Sequence, residues 1–217
     1  HTARRSSASA SPTGSASRRG PLNPAQQAIW FVECLRGPST LYHMVFGWQI
    51  RGSLDVAALS DAIGLLIARH PALRTSVGET DSGPMQSVAA EVALPLEYRD
   101  LSAEDSERSV SPTRIVDEFA AHPFDLQRAP LIRGLIARTA TDEHLLAIVV
   151  HHLVSDGWSM NRFFSELSII YPQCRAARDG GRPLPAPPLP LVGGAVAVEL
   201  PLLAAWPEPW RDSPLVP

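Results

Sequence analysis

The sequence predicts an α/β fold: an α+β two-layer sandwich in which helices cover a mixed β-sheet. Helical and extended patterns alternate along the chain, which excludes an all-helical bundle. Residues 144–150 form a continuous apolar run, which is typical of a strand buried on both faces. Residues 160–171 carry apolar side chains at helical spacing and therefore predict a helix that packs against the sheet.

Composition narrows the class of protein. The 217 residues are 45% hydrophobic and 19% charged, so the chain can bury a core. A net charge of -3 argues against a nucleic-acid-binding surface, and no apolar stretch reaches the roughly 18 residues needed to span a membrane. Cys34 and Cys174 lie far apart, which excludes a disulfide scaffold and most zinc modules.

The first elements are predicted as helix, strand and helix. Pro24 suits the first turn of a helix over residues 25–35, and the aromatic and β-branched residues of 41–50 favour a strand. Asp55 can cap the next helix, which Pro71 closes. The apolar residues of this second helix share one face: Val56, Leu59, Ile63, Leu66 and Ile67.

A hairpin and a second set of elements follow. Residues 73–77 and 85–89 flank an Asp-Ser-Gly turn and predict the hairpin. The next predicted elements are a strand over 96–98, a helix from 111 to 122, a strand over 131–138 and the buried strand over 144–150. Pro172 is expected to end or kink the last helix.

Composition also divides the chain. We expect residues 1–20 to be a disordered linker rich in Ser and Arg, because they contain neither an acid nor an apolar run. Residues 21–179 form the expected globular lobe. Residues 180–217 are rich in proline and show no helical or strand period, so an irregular tail is expected there.

The nine residues from His151 to Ser159, HHLVSDGWS, lie between the buried strand and the last helix. If the strand geometry persists, His151 and His152 point to opposite faces, so that one can reach a cavity while the other packs. The turn at Asp156-Gly157 leaves open the N–H groups of the first turn of the new helix. An imidazole beside such donors can remove a proton from a nucleophile while the N–H groups stabilise an oxyanion.

Simpler interpretations of the same residues stay open. A histidine beside a core is commonly structural, and Asp156 alone could be a helix N-terminal charge without a further role. Adjacent histidines followed by an acid could bind a metal, but side chains on opposite strand faces diverge and no third ligand follows. The sequence therefore predicts no metal site.

Three stretches resemble motifs of one family in the expected order. The string at 151–159 resembles the HHxxxDG motif of the condensation domains of nonribosomal peptide synthetases. Residues 23–31, NPAQQAIWF, resemble the first motif of that family, and residues 69–75, RHPALRT, resemble its second. The chain is thus identified as similar to the N-terminal lobe of such a domain, which implies a chloramphenicol acetyltransferase-like fold.

The resemblance implies an activity and a set of partners. The family joins an acyl and an aminoacyl group, both tethered as thioesters to carrier domains, through an amide bond. It implies no directly bound cofactor, since phosphopantetheine arrives on peptidyl carrier domains, and it implies an adenylation domain in the same assembly line. A cytoplasmic location is expected for such a system.

The resemblance also implies roles for five residues. His152 matches the catalytic histidine, which acts as a general base or positions the amine, and His151 matches the structural one. The amide of Gly157 is implied to lie beside the reacting thioester. Asp156 is implied to hold the loop through a salt bridge with an arginine, for which Arg74 is the expected partner. We therefore expect a buried Arg74–Asp156 pair, an inward His151 and a His152 that faces an open cleft.

The resemblance ends after the proline-rich stretch at 183–190. Residues from 191 onward do not match the second lobe of the family, so a missing C-terminal lobe is expected, through a frameshift, a fragmentary gene or a natural truncation. An inactive remnant or a carrier-docking module is the alternative function. A weaker alternative is an HHxxxDG enzyme that acylates a hydroxyl, against which the motif at 69–75 weighs.

Overall fold

The computed structural model describes residues 16–102 and 111–185 and the strand at 203–205. The elements, in chain order, are β1 Ala16–Pro21, α1 Pro24–Arg36, β2 His43–Arg51, α2 Val56–Arg69, a 3₁₀ turn Pro71–Arg74, β3 Thr75–Thr80, β4 Gly83–Ala89, β5 Leu96–Asp100, α3 Pro112–Ala120, β6 Ile132–Ala140, β7 Glu143–His151, α4 Gly157–Asp179 and β8 Leu203–Ala205. The alternation of helices and strands confirms the predicted α/β fold.

A mixed five-stranded sheet forms the centre, in the order β5-β6-β7-β2-β8. Strands β5 and β6 are parallel, and the other neighbours are antiparallel. Strand β7 lies in the middle, and its residues from His144 to His151 are all buried. Helices cover both faces of this strand, which explains its unbroken apolar run.

The two faces of β7 belong to two cores. One core lies under α2 and α4, and the other lies under α3. The β7 residues in the first core are Leu146, Ile148 and Val150, and those in the second are Leu145, Ala147 and Val149. Because the side chains of a strand alternate, His151 at the end of β7 continues the second set.

Helix α2 forms as predicted. The side chain of Asp55 caps it by accepting a hydrogen bond from the backbone N–H of Ala58, with an N–O distance of 2.8 Å. The apolar face of the helix packs on that of α4 in the first core. None of the helices in the described part of the chain contains an apolar stretch that could span a bilayer.

Helix α4 continues through Pro172 to Asp179, so of the two expected effects of this proline, an end or a kink, the end does not occur. The buried residues Ile170, Cys174 and Ala177 lie on both sides of the proline at helical spacing. Burial of this apolar face holds the last turns in place, and Pro172 itself is exposed. The cost of the missing N–H is therefore offset by packing on the opposite face.

A second, three-stranded antiparallel sheet has the order β1-β4-β3 and contains the predicted hairpin of β3 and β4. Strand β1 differs from the disordered linker expected for residues 1–20, because its backbone pairs with β4. Backbone pairing needs a partner edge and no apolar alternation, so the sequence of β1 carries no signal. Residues 1–15 lie outside the described residues.

Strand β8 falls within the segment 180–217, for which the sequence predicts an irregular tail. Its backbone pairs with Trp48, Gln49 and Ile50 of β2 at the edge of the central sheet. The rest of that segment from residue 186 onward lies outside the described residues.

A buried carboxylate joins the end of α2 to the middle of α4. Glu166 is 1% exposed, and its oxygens lie 3.2 Å from Arg69 Nε, 2.7 Å from His70 Nε2 and 3.0 Å from Arg162 Nε. These partners offset the desolvation of the carboxylate. Arg69 and His70 begin the RHPALRT stretch, so this contact fixes that stretch against α4.

Replacement of Glu166 by alanine should lower the free energy of unfolding by roughly 3–5 kcal/mol, because it leaves Arg69 with an uncompensated, largely buried charge. Chemical denaturation of both proteins measures the difference. The matched control is Glu118→Ala, which removes an exposed pair with Arg114 on α3 and should cost at most about 0.5 kcal/mol. Similar losses for the two variants would contradict the importance of the buried contact.

Candidate functional site

The candidate site lies where β7 ends and α4 begins. His151 is the last residue of β7, and Gly157 is the first residue of α4. Asp156 caps the helix: its Oδ1 accepts hydrogen bonds from Ser159 N at 2.7 Å and from Ser159 Oγ at 2.6 Å. These two hydrogen bonds lower the pKa of the Asp156 carboxyl. The cap thus fixes the turn that connects the strand to the helix.

His151 packs inward, as the resemblance implied, and its side chain is 1% exposed. Its Nδ1 accepts a hydrogen bond from the backbone N–H of Leu153 at 3.2 Å, so the ring proton resides on Nε2. Burial lowers the pKa of His151 to about 4. The Glu33 carboxylate, 3.7 Å from Nε2, favours protonation, but a proton on Nδ1 would break the bond to Leu153. His151 is therefore a neutral structural residue.

His152 is exposed, so the two histidines divide between interior and surface as expected. The backbone N–H of His152 donates to the carbonyl oxygen of Tyr42 at 2.8 Å, which extends the pairing of β7 with the β2 side of the sheet by one residue. The backbone of His152 is therefore fixed while its imidazole is directed away from the core.

The first turn of α4 supplies hydrogen-bond donors at the end of the turn that carries His152. The Asp156 side chain occupies the N–H of Ser159, whereas the N–H groups of Gly157 and Trp158 precede any intrahelical acceptor. Gly157 is exposed, and a Cβ placed on it would meet no atom within 4 Å. The Trp158 side chain is 72% exposed. A ligand can therefore approach these two N–H groups from solvent.

The expected buried ion pair between Arg74 and Asp156 is wrong. In the part of the chain that the structure describes, no salt bridge joins them, and Asp156 is exposed. The guanidinium of Arg74 instead donates to the carbonyl oxygens of Ile67, Ala89 and Ala90. The Arg74 guanidinium is hydrogen-bonded to carbonyl groups at the ends of α2 and β4, and the Asp156 carboxylate is hydrogen-bonded as the cap of α4. Each side chain therefore has polar partners without the other.

Several residues of the site escaped the sequence analysis. Glu33 is buried on α1, and its Oε1 accepts a hydrogen bond from Ser39 Oγ at 2.9 Å. His43 on β2 contacts Ala120 O through Nδ1 at 3.0 Å, and burial lowers its pKa to about 4. The rings of His43 and Phe124 pack near His151. Glu33 had one available signal: it is a charged residue on a helix that is otherwise mostly apolar.

The site has no donor set for a metal. Within residues 16–102, 111–185 and 203–205, no three His, Cys, Asp or Glu side chains lie close enough together to hold an ion.

Comparison with known proteins places this arrangement in a family. The family model of the Condensation domain matches residues 17–191. Chondramide synthase cmdD from Chondromyces crocatus is 37% identical over 170 residues, which are 78% of this chain and 4% of that protein. Malpibaldin synthetase from Mortierella alpina is 35% identical over 192 residues, which are 88% of this chain and 3% of that protein.

Solved structures agree in fold. The first condensation domain of the CDA synthetase is 27% identical with a TM-score of 0.66, over 80% of this chain and 44% of that chain. The starter condensation domain of the rhizomide synthetase RzmA is 20% identical with a TM-score of 0.67, over 78% of this chain and 41% of that chain. The chain therefore spans less than half the length of either solved chain.

The mixed sheet and the turn at the end of its central strand define an α/β protein that carries the HHxxxDG motif. Within that class, the chain belongs to the condensation domain family.

The N-cap role of Asp156 leads to a quantitative expectation. Asp156→Ala should lower the free energy of unfolding by about 1 kcal/mol, the usual cost of a lost cap, whereas Asp156→Ser should retain most of it. A double-mutant cycle of Asp156→Ala with Arg74→Ala, followed by urea unfolding, should be additive, because no bond joins the two side chains. A coupling energy above about 1 kcal/mol would show that Arg74 and Asp156 interact, as first expected.

The buried neutral histidines predict acid sensitivity. The pKa of His43 and of His151 is about 4 in the folded protein, below the ordinary value of about 6.5 for the unfolded chain. The unfolded chain therefore takes up protons that the folded chain does not, and the free energy of unfolding falls as the pH drops from about 6.5 to about 4. The loss for His151 alone is on the order of 3 kcal/mol.

Urea unfolding between pH 7.5 and pH 4.5 measures this slope. His151→Gln should flatten it, and the exposed His122→Ala should leave it as in the wild type. A wild-type slope in His151→Gln would show that burial of this imidazole does not limit its protonation. His43→Gln repeats the test should His151→Gln fail to fold.

Proposed function

We propose that the chain provides the histidine-bearing half of an acyltransferase site that forms amide bonds between carrier-tethered acyl and aminoacyl thioesters in nonribosomal peptide synthesis. The observation that carries the proposal is the exposure of His152 in the turn that leads into α4, whose first N–H groups precede any intrahelical acceptor. Membership of the condensation domain family supports this choice of reaction.

The proposed reaction is an acyl transfer from sulfur to nitrogen. The amine nitrogen attacks the thioester carbonyl carbon, the C–N bond forms, the C–S bond breaks, and the amine proton ends on the departing thiolate. His152 accepts that proton as a general base or holds the amine in line for attack. The Gly157 N–H donates to the carbonyl oxygen as negative charge develops on it.

The proposed partners follow from this chemistry. Both substrates are thioesters of phosphopantetheine, which peptidyl carrier domains deliver, so the chain itself binds no cofactor directly. An adenylation domain of the same assembly line loads the carriers, and the proposed location is cytoplasmic. One structural relative is a four-domain nonribosomal peptide synthetase, which gives an example of such domains in one chain.

A carrier-docking module without its own activity is the second candidate function. It is favoured by the exposure of His152, Asp156, Gly157 and Trp158 in the described part of the chain. An exposed site gives water free access to a thioester and does not align two substrates, and alignment can supply roughly 7–11 kcal/mol of a barrier.

The two candidates differ in one assay. The chain alone, given two loaded carrier proteins, should form no amide product above background. Fused to the C-terminal lobe of a relative, it should form the product, and His152→Ala should slow it by on the order of 10²–10⁴. Mass spectrometry of the carrier-bound product provides the measurement.

The matched control for that assay is His122→Ala, which removes an exposed histidine far along the chain from the turn. It should leave the rate unchanged. An inactive fusion that still binds carriers would favour the docking module. Unchanged product formation by His152→Ala would remove His152 from the mechanism.

A further inference from the structure

Helix α1 contacts the turn that carries His152 at two points. Gln26 and Glu33 lie seven residues apart, which is close to two helical turns, so their side chains share one face of the helix. Gln26 reaches the backbone of Leu153, and Glu33 reaches the ring of His151. The two contacts therefore lie on either side of His152 in the chain.

Gln26 uses its two polar atoms for two different purposes. Its Oε1 accepts a hydrogen bond from Asn23 N at 3.0 Å, and Asn23 Oδ1 accepts one from Gln26 N at 2.9 Å, which forms a capping box. Its Nε2 donates to the carbonyl oxygen of Leu153 at 3.1 Å. The capping box fixes the glutamine side chain, and the fixed side chain fixes Leu153.

Leu153 is held through both of its backbone polar groups. Its carbonyl oxygen accepts from Gln26 Nε2, and its N–H donates to His151 Nδ1 at 3.2 Å. Its side chain, 2% exposed, packs with Leu22 and Val77 in a small apolar cluster. The opposite nitrogen of His151 lies 3.7 Å from Glu33 Oε1 and has no hydrogen-bond partner among the described residues, so Glu33 lies near this ring without a bond to it.

We propose that Gln26 is a positioning residue for His152 and that it acts through the Leu153 carbonyl. The N–H of His152 is fixed by Tyr42, and the peptide on its other side leads directly to Leu153. With both neighbouring peptides held, the backbone dihedrals of His152 are restricted, and the direction of its imidazole is set by its side-chain rotamer. The inference rests on the proposed function at one point: a catalytic purpose for the direction of the His152 imidazole.

One substitution separates the two tasks of Gln26. In Gln26→Glu, a carboxylate oxygen still accepts from Asn23 N, and a negative charge in the first helical turn is favourable, so α1 remains capped. The donor to Leu153 O is lost. The matched control is Gln27→Glu, which adds the same charge one residue later and removes the donor of a hydrogen bond to Leu22 O at 2.9 Å, while every hydrogen bond of the turn itself is kept.

Amide hydrogen exchange of the 217-residue chain, followed residue by residue by NMR, tests the proposal. In Gln26→Glu, exchange of the amides of Leu153 and Val154 should accelerate between about two- and tenfold, because the Leu153 carbonyl between them loses one hydrogen bond and the turn opens more readily. The ring nitrogen signals of His152 should shift in the same variant. In Gln27→Glu, both should match the wild type.

Two results would overturn the proposal. One is equal exchange of Leu153 and equal His152 signals in Gln26→Glu and Gln27→Glu. The other is acceleration spread evenly over β7 and α4, because it would show a general loss of stability in place of a local release of the turn. Neither measurement needs catalytic turnover, so the inference can fail while the proposed reaction holds, and the reverse.

Discussion

Burial of β7 on both faces is the constraint on which the rest of the structure depends. A strand with six consecutive apolar residues, 145–150, must be covered on each side, here by α2 and α4 on one face and by α3 on the other. The alternation of its side chains then places His151 on the face that α3 covers. His152 follows as the first residue whose side chain is free of the core, so the position of the candidate catalytic group is a consequence of core packing.

The buried strand, the capped helix α2 and the opposite directions of the two histidines could be predicted from the sequence, because each depends on periodicity or on a local hydrogen bond. Strand β1 could not, since its backbone pairs with a distant strand and its own side chains carry no pattern. Helix α4 continues through Pro172, contrary to an end at that residue, for a related reason. Its effect on α4 is decided by the burial of residues around it, and burial is a property of the whole fold.

The resemblance and the structure give Asp156 different roles. The resemblance located the residue at the site and implied an ionic partner, whereas the local geometry gives it the ordinary task of a helix cap. Arg74 is satisfied by three carbonyl groups and has no need of a carboxylate. Glu33 and Gln26 were harder to identify, because their importance depends on contacts with residues more than one hundred positions later in the chain.

The pairing of β2 with β7 has a consequence for synthesis on the ribosome. Arg51 at the end of β2 is the partner of Glu143 at the start of β7. At about 5–20 residues per second, roughly 5 to 20 seconds pass before translation supplies that partner. During this interval Phe46 and Trp48 have no strand β7 beside them, although β6 and β7 can form their hairpin at once when they emerge. Helix α1 is by then complete, so Gln26 and Glu33, which lie against the histidine turn, are synthesised before the turn itself.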